Sequence, residues 1–200
     1  MHSYAEANRI FNRVVRLVEN NNRASIHRVL LDKIPGGQIH NGGRLKIGPD
    51  QKLYITTGDA GNPALAQDPT STAGKILRIE LDGRIPKDNP IINSPVYSLG
   101  HRNPQGLAWN SKNVLYASEH GQSAHDEINI IKPGANYGWP IVEGNGTVVR
   151  SVESWLRNEY GRLREVIQGK DGSIYLTTSN RDGRGNLHAG DDKIIRLIPK

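Results

Sequence analysis

His40 stands in Ile39-His40-Asn41-Gly42-Gly43-Arg44, where two glycines free the backbone and clear space around an imidazole. An imidazole exchanges a proton near neutral pH, so this residue can act as a general base. The same letters also describe a histidine in a surface turn, and the motif alone leaves both readings open. Further along, Gly100-His101-Arg102-Asn103-Pro104-Gln105-Gly106 places a guanidinium beside an amide. A guanidinium is always charged and grips carboxylates or polarised carbonyl oxygens; a hydrogen-bonded turn is the alternative use of the same residues. Arg162-Leu163-Arg164 repeats a cation two positions apart, a spacing that in a strand puts both on one side, where they suit an acidic ligand or lie as exposed charge. Glu119-His120-Gly121-Gln122 followed by Asp126-Glu127 makes an acidic, glycine-bearing loop. Carboxylates and free backbone carbonyls suit calcium, a hard ion with oxygen ligands, although the spacing is not that of an EF-hand and a solvated acidic turn reads the same way. Gly134 to Pro140, GANYGWP, is a tight turn presenting two aromatics either outward or to the core.

The elements that must carry these groups are short strands. Three runs share one form: turn, apolar residue, tyrosine, then small or β-branched residues. They are PDQKLYITTG (49–58), SKNVLYAS (111–118) and KDGSIYLTTS (170–179). Each is followed by a polar loop and a second strand, KILRIEL (75–81), DEINIIK (126–132) and KIIRLI (193–198). Asn12 to Glu19, NRVVRLVE, has the form of this second strand and is assigned to it. Met1 to Arg9 is mostly polar and carries no clear signal. Asp59, and Arg181, Asp182 and Arg184, fall in equivalent loops after the tyrosine strands and read as structural turns. A recurring multi-strand unit of this size is a β-propeller blade, and β-branched runs broken by Asp-Gly turns argue against a helical solenoid. About three units fit in the chain, fewer than a closed propeller normally uses. Either the propeller is partial, or two copies pair to approximate a ring. Glu143 to Glu159 breaks the rhythm, and its Asn145-Gly146-Thr147 sequon is a chance match.

Composition narrows the classes. The chain has 22 glycines and 11 prolines, spread out rather than clustered, which favours turns over long helices. There is no cysteine, hence no disulfide framework and no thiol chemistry. A net charge of +6 favours anionic partners, but the basic residues are scattered without a Lys/Arg block, which argues against nucleic acid and leaves a small anionic cofactor or substrate. No apolar run approaches a membrane span, and no signal-peptide core follows Met1.

Together, HNGGRLKIGPD (40–50), LYITTGD (53–59), GHRNPQGLAW (100–109), SEHG with DEIN (118–129), NYGWP (136–140) and RLREV (162–166) resemble the soluble quinoprotein glucose/sorbosone dehydrogenase family, in its aldose sugar dehydrogenase branch. The resemblance runs in family order from about Arg13 onward. It implies a six-bladed β-propeller that binds pyrroloquinoline quinone (PQQ) and calcium, oxidises the C1 hydroxyl of aldose sugars to lactones, and passes electrons to an external acceptor. Carried over, His40 resembles the base that takes the C1 hydroxyl proton. Arg102 resembles the group that polarises the quinone carbonyl, with Asn103 holding the same ring. Arg162, Leu163 and Arg164 resemble the segment that holds the cofactor's acidic groups. Gly121 and Gln122 match positions whose backbone oxygens bind the cofactor's calcium, and Glu127 and Tyr137 match a structural calcium site. Against the family pattern, residues 1–200 form a single partial propeller domain that lacks much of a first blade and is short between about 146 and 155. A quinone-dependent dehydrogenase is the first reading. A non-catalytic, calcium-binding propeller module and a calcium-dependent lactonase are the alternatives. Family members are commonly exported, and compartment is left open.

Overall fold

The computed structural model describes residues 1–122, 126–141, 154–156, 159–181 and 190–198; Asn145, Asp182 and Arg184 lie outside them. Among the described residues the chain is almost entirely strand, in four antiparallel sheets with one four-residue helix. The first sheet holds β1 (His2–Glu6), β2 (Arg9–Asn20) and β3 (Arg23–Gly36). The second holds β4 (Leu45–Ile47), β5 (Leu53–Thr57), β6 (Lys75–Ile79) and β7 (Val96–Leu99), with the helix α1 (Ala64–Gln67) in its β5–β6 loop. The third holds β8 (Pro104–Trp109), β9 (Leu115–Glu119), β10 (Glu127–Ile131) and β11 (Ser154–Trp155). The fourth holds β12 (Leu163–Gln168), β13 (Ile174–Thr178) and β14 (Ile194–Leu197).

The tyrosine repeat has a physical basis. Tyr54 on β5 donates to Asp50 Oδ2 at 3.0 Å, and Arg78, its register partner on β6, donates to the same oxygen at 2.9 Å. Tyr175 on β13 donates to Asp171 Oδ2 at 3.0 Å, and its partner Arg196 on β14 reaches that oxygen at 2.7 Å. In the third sheet Tyr116 keeps its place on β9, but Asn110 stands for the aspartate and donates its amide to the tyrosine hydroxyl at 3.2 Å, and Ile130 stands opposite. In the second and fourth sheets the recurring letters thus fix the turn to the two strands that follow it.

The sheets pack face to face in chain order. Val14 and Ile34 of the first meet Leu53, Ile55, Leu77 and Ile79 of the second. Tyr54 and Ile76 of the second meet Leu107, Leu115 and Ala117 of the third. Ala108, Tyr116 and Ile128 of the third meet Leu163, Val166 and Leu176 of the fourth. Strands β4 and β12 both flank β8. Radially stacked antiparallel sheets with adjacent leading strands are the β-propeller arrangement.

The first sheet differs in its exposure. Asn12–Glu19 lies inside β2, which follows β1 and precedes β3 as β6 follows β5 and precedes β7, so it takes the place of KILRIEL. Its sequence form matches, but only Asn12 and Val14 are buried, whereas all of β6 is, because the hairpin runs out beyond the second sheet and leaves Leu17, Val18, Ile26 and Val29 exposed. Met1–Arg9 contains β1, missed because its residues are polar. Its turn to β2 is Ala7-Asn8, and the β2–β3 turn is Asn21-Asn22, all four at positive φ as two-residue hairpin turns require.

One edge of the sheets carries the turns that bear Asp50, Asn110 and Asp171. The opposite edge gathers the loops leaving β3, β5, β7 and β9, which carry His40, Asp59, Arg102 and Gln122.

Candidate active site

His40 sits in the loop between β3 and β4 with φ of 56°. Its Nδ1 lies 2.7 Å from Asp59 Oδ1. Asp59 follows β5 and is fully buried. Its Oδ1 also accepts the Gly61 amide at 2.8 Å, and its Oδ2 accepts the indole N–H of Trp139 at 2.9 Å. Burial alone would push the Asp59 carboxyl up, but the bonds from His40, Gly61 and Trp139 outweigh it and hold the group below the usual carboxylate range. Asp59 is therefore a fixed anion that leaves Nε2 as the histidine nitrogen able to take a proton. The close fit needs glycine at 58, where a Cβ would fall 2.1 Å from the His40 carbonyl oxygen.

Asp59→Asn is expected to change acid stability in a defined direction. A carboxyl held low in the folded state adds stability above its unfolded value near 3.8, and that stability is lost as pH falls through the lower folded value. Urea unfolding across acid pH should show this loss in the native chain and a flatter profile in the variant. An equally steep acid limb in the variant would place the loss elsewhere.

Arg102 enters from the β7–β8 turn. That turn is built on Glu119, at the end of β9, which is buried. One carboxyl oxygen accepts the Arg102 and Asn103 amides, the latter at 3.2 Å. The other lies 2.8 Å from His101 Nδ1 and 3.3 Å from Asn129 Nδ2. His101 is fully buried, bonded through Nε2 to Ser98 Oγ at 2.8 Å and stacked on Tyr137 with centroids 4.5 Å apart. On this platform the Arg102 guanidinium lies over the Trp139 ring at 5.3 Å and donates to the His120 carbonyl at 3.2 Å. Asn103 Oδ1 accepts the Gly42 amide at 3.1 Å, locking the histidine loop to the arginine turn.

His40, Asp59, Arg102, Gln122 and Trp139 line an open cavity of about 360 Å³, together with the apolar Ile39, Pro63 and Pro140. Trp139 and Asp59 are the members that the sequence did not assign to chemistry. The signal for Asp59 was present: continuing the β4–β5 register past Leu45↔Ile55 brings residue 41 opposite 59. Trp139 carried no such signal, because its position depends on Gln67, which donates to its carbonyl at 2.6 Å from α1.

The other sequence candidates divide. Arg162 NH2 lies 2.9 Å from His120 Nδ1, and the His120 carbonyl accepts Arg102, so Arg162 is linked to the site through that histidine. Arg164 is anchored elsewhere, its Nε donating to Ser179 Oγ at 2.7 Å. Leu163 is fully buried in the core between the third and fourth sheets, and its amide is taken by Asp126 Oδ2 at 2.8 Å; its side chain packs, leaving charge to the two arginines. Burial pushes the Asp126 carboxyl up to about 6, against the Leu163 amide and the nearby arginines. Gly121 gives its amide to Asp126 Oδ1 at 3.1 Å, and Gln122 stands on the cavity wall. Glu127 and Tyr137 are not brought together through their side chains. Glu127 Oε1 accepts Asn129 Nδ2 at 3.0 Å, at the start of β10, while the Tyr137 hydroxyl donates to the Ile130 carbonyl at 2.6 Å, toward the strand's other end. Among the described residues no group of three or more His, Cys, Asp or Glu converges to hold a metal, so a calcium site here would rest on backbone oxygens and single side chains.

Residues 1–147 match the Glucose / Sorbosone dehydrogenase family, and the chain belongs to it. Quinoprotein glucose dehydrogenase B of Acinetobacter calcoaceticus is 47% identical over 137 residues, covering 58% of this chain and 29% of that protein. Aldose sugar dehydrogenase YliI of Escherichia coli is 43% identical over 108 residues, covering 51% of this chain and 29% of that protein. The chain thus spans less than a third of the length of these curated relatives. The PQQ-bound form of aldose sugar dehydrogenase from Streptomyces coelicolor superposes with a TM-score of 0.67 at 38% identity, covering 97% of this chain and 73% of that one. No helix among the described residues is long and apolar enough to cross a membrane.

Proposed function

We propose that this chain carries the site of a PQQ-dependent dehydrogenase that oxidises the C1 hydroxyl of an aldose to the lactone and releases electrons to an external acceptor. The observation that carries this reading is the His40–Asp59 pair facing Arg102 across one cavity. The donor set fits the cofactor. PQQ is a planar, polyanionic quinone, and the wall offers the Arg102 guanidinium lying over an indole, with Arg162 behind it. A cavity of about 360 Å³ is within the usual range for small-molecule sites.

Bound there, PQQ would supply a two-electron acceptor for the hydride leaving C1. The chain's own residues do the rest. Nε2 of His40 takes the C1 hydroxyl proton as the C–H bond breaks, so the new carbonyl forms without a free alkoxide. Asp59 keeps the ring oriented and stabilises the imidazolium, the role a buried carboxylate plays behind a catalytic histidine. Arg102 presents fixed positive charge where negative charge grows on the acceptor. Gly121 and Gln122 are the candidate ligands for a calcium ion beside the cofactor.

Product analysis tests the reading. The chain incubated with PQQ, calcium, glucose and an electron-accepting dye should yield gluconolactone in proportion to dye reduced. Lactone hydrolysis without dye reduction would overturn it.

A further inference from the structure

We propose that His120 is a positioning residue that couples the two guanidinium groups of the site, Arg102 and Arg162. This rests on the reading above for its consequence in cofactor binding, but not for its geometry. His120 is buried where the third and fourth sheets meet. Its amide donates to the Asn103 carbonyl at 3.3 Å, which sets it beside the arginine turn. Its own carbonyl accepts Arg102 NH1 at 3.2 Å, and its ring Nδ1 lies 2.9 Å from Arg162 NH2. A guanidinium can only donate. Nδ1 must therefore be the bare nitrogen, and the ring proton sits on Nε2, toward Asp126 Oδ2 at 3.8 Å. Asp126 in turn accepts the Leu163 amide, next to Arg162 in the chain. One residue thus grips two cations from different blades, one through its backbone and one through its ring. The cations are 60 residues apart in sequence and share no strand. The separation between the two charges is then set through one buried residue, its carbonyl and its ring, rather than by two independent flexible side chains, which lowers the ordering cost when a polyanion binds.

The first test needs no ligand. Nitrogen NMR of the ¹⁵N-histidine-labelled chain should show His120 with an unprotonated Nδ1, and Arg162→Ala should move that signal. A protonated Nδ1, or a signal indifferent to Arg162→Ala, overturns the proposal. The second test reads PQQ dissociation constants. His120→Phe should weaken PQQ by about ten-fold or more, the scale of one charge-assisted hydrogen bond. His120→Asn, which keeps a short acceptor, should recover most of that loss. In an Arg162→Ala background, His120→Phe should add little. An undiminished loss in that background would make His120 merely structural and overturn the proposal. If the unmodified chain takes up no PQQ, the functional reading falls, and the NMR result alone decides the role of His120.

Discussion

Replacing His40 with alanine is expected to lower kcat by about 10²–10⁴-fold, the usual contribution of a positioned general base, while PQQ affinity changes little. The separation follows from the geometry. The imidazole meets Asp59 and the cavity, whereas the cationic groups suited to an anionic cofactor sit on other loops. The backbone of residue 40 also stays in place in the variant, because its carbonyl is held by the Ala60 amide at 3.0 Å. Stopped-flow reduction with saturating sugar reads the chemical step directly, and free imidazole should restore part of it. Unchanged turnover would remove His40 from the mechanism.

Glu119→Ala is expected to produce the largest loss of stability, about 3–5 kcal/mol. The carboxyl is buried and meets the His101 ring, two consecutive amides and Asn129. Removing it strands those groups in a dry interior and leaves the Arg102 turn without its anchor. Against total stabilities of about 5–15 kcal/mol this is a large fraction. The urea midpoint should fall sharply, and the unfolding midpoint should no longer rise with added PQQ. A variant as stable as the native chain would show that the platform under Arg102 is held by other bonds.

Much of the fold was legible because the repeat is chemical as well as hydrophobic. The Asp–Tyr–Arg network around Tyr54 recurs around Tyr175, so matching letters mean matching strands. In the first sheet Tyr4 and Arg13 likewise meet on one aspartate, Asp32, so NRVVRLVE takes the inner place that its letters suggest, although its hairpin is more exposed. At the site, His40 and Arg102 were visible as residues with chemistry next to glycine. Asp59 read as a turn because its role depends on a hairpin register, and Trp139 because a distant glutamine places it. The pairing of Arg162 with Arg164 was read as one clamp from strand alternation. The structure ties the first to His120 and the second to Ser179, since Arg162 precedes the strand and the β12–β13 register shifts between Leu163 and Val166. Glu119 reads in the sequence as part of an acidic loop suited to calcium or to solvent, yet it is the acceptor around which the GHRN turn folds.

The most direct measurement is visible absorbance of the purified chain titrated with PQQ and calcium, followed by addition of glucose. Saturable uptake of the oxidised quinone is expected, followed by its bleaching by sugar at a rate set by His40. Uptake without bleaching, or no uptake at all, would contradict the claim that His40, Asp59 and Arg102 form a working dehydrogenase site in this chain.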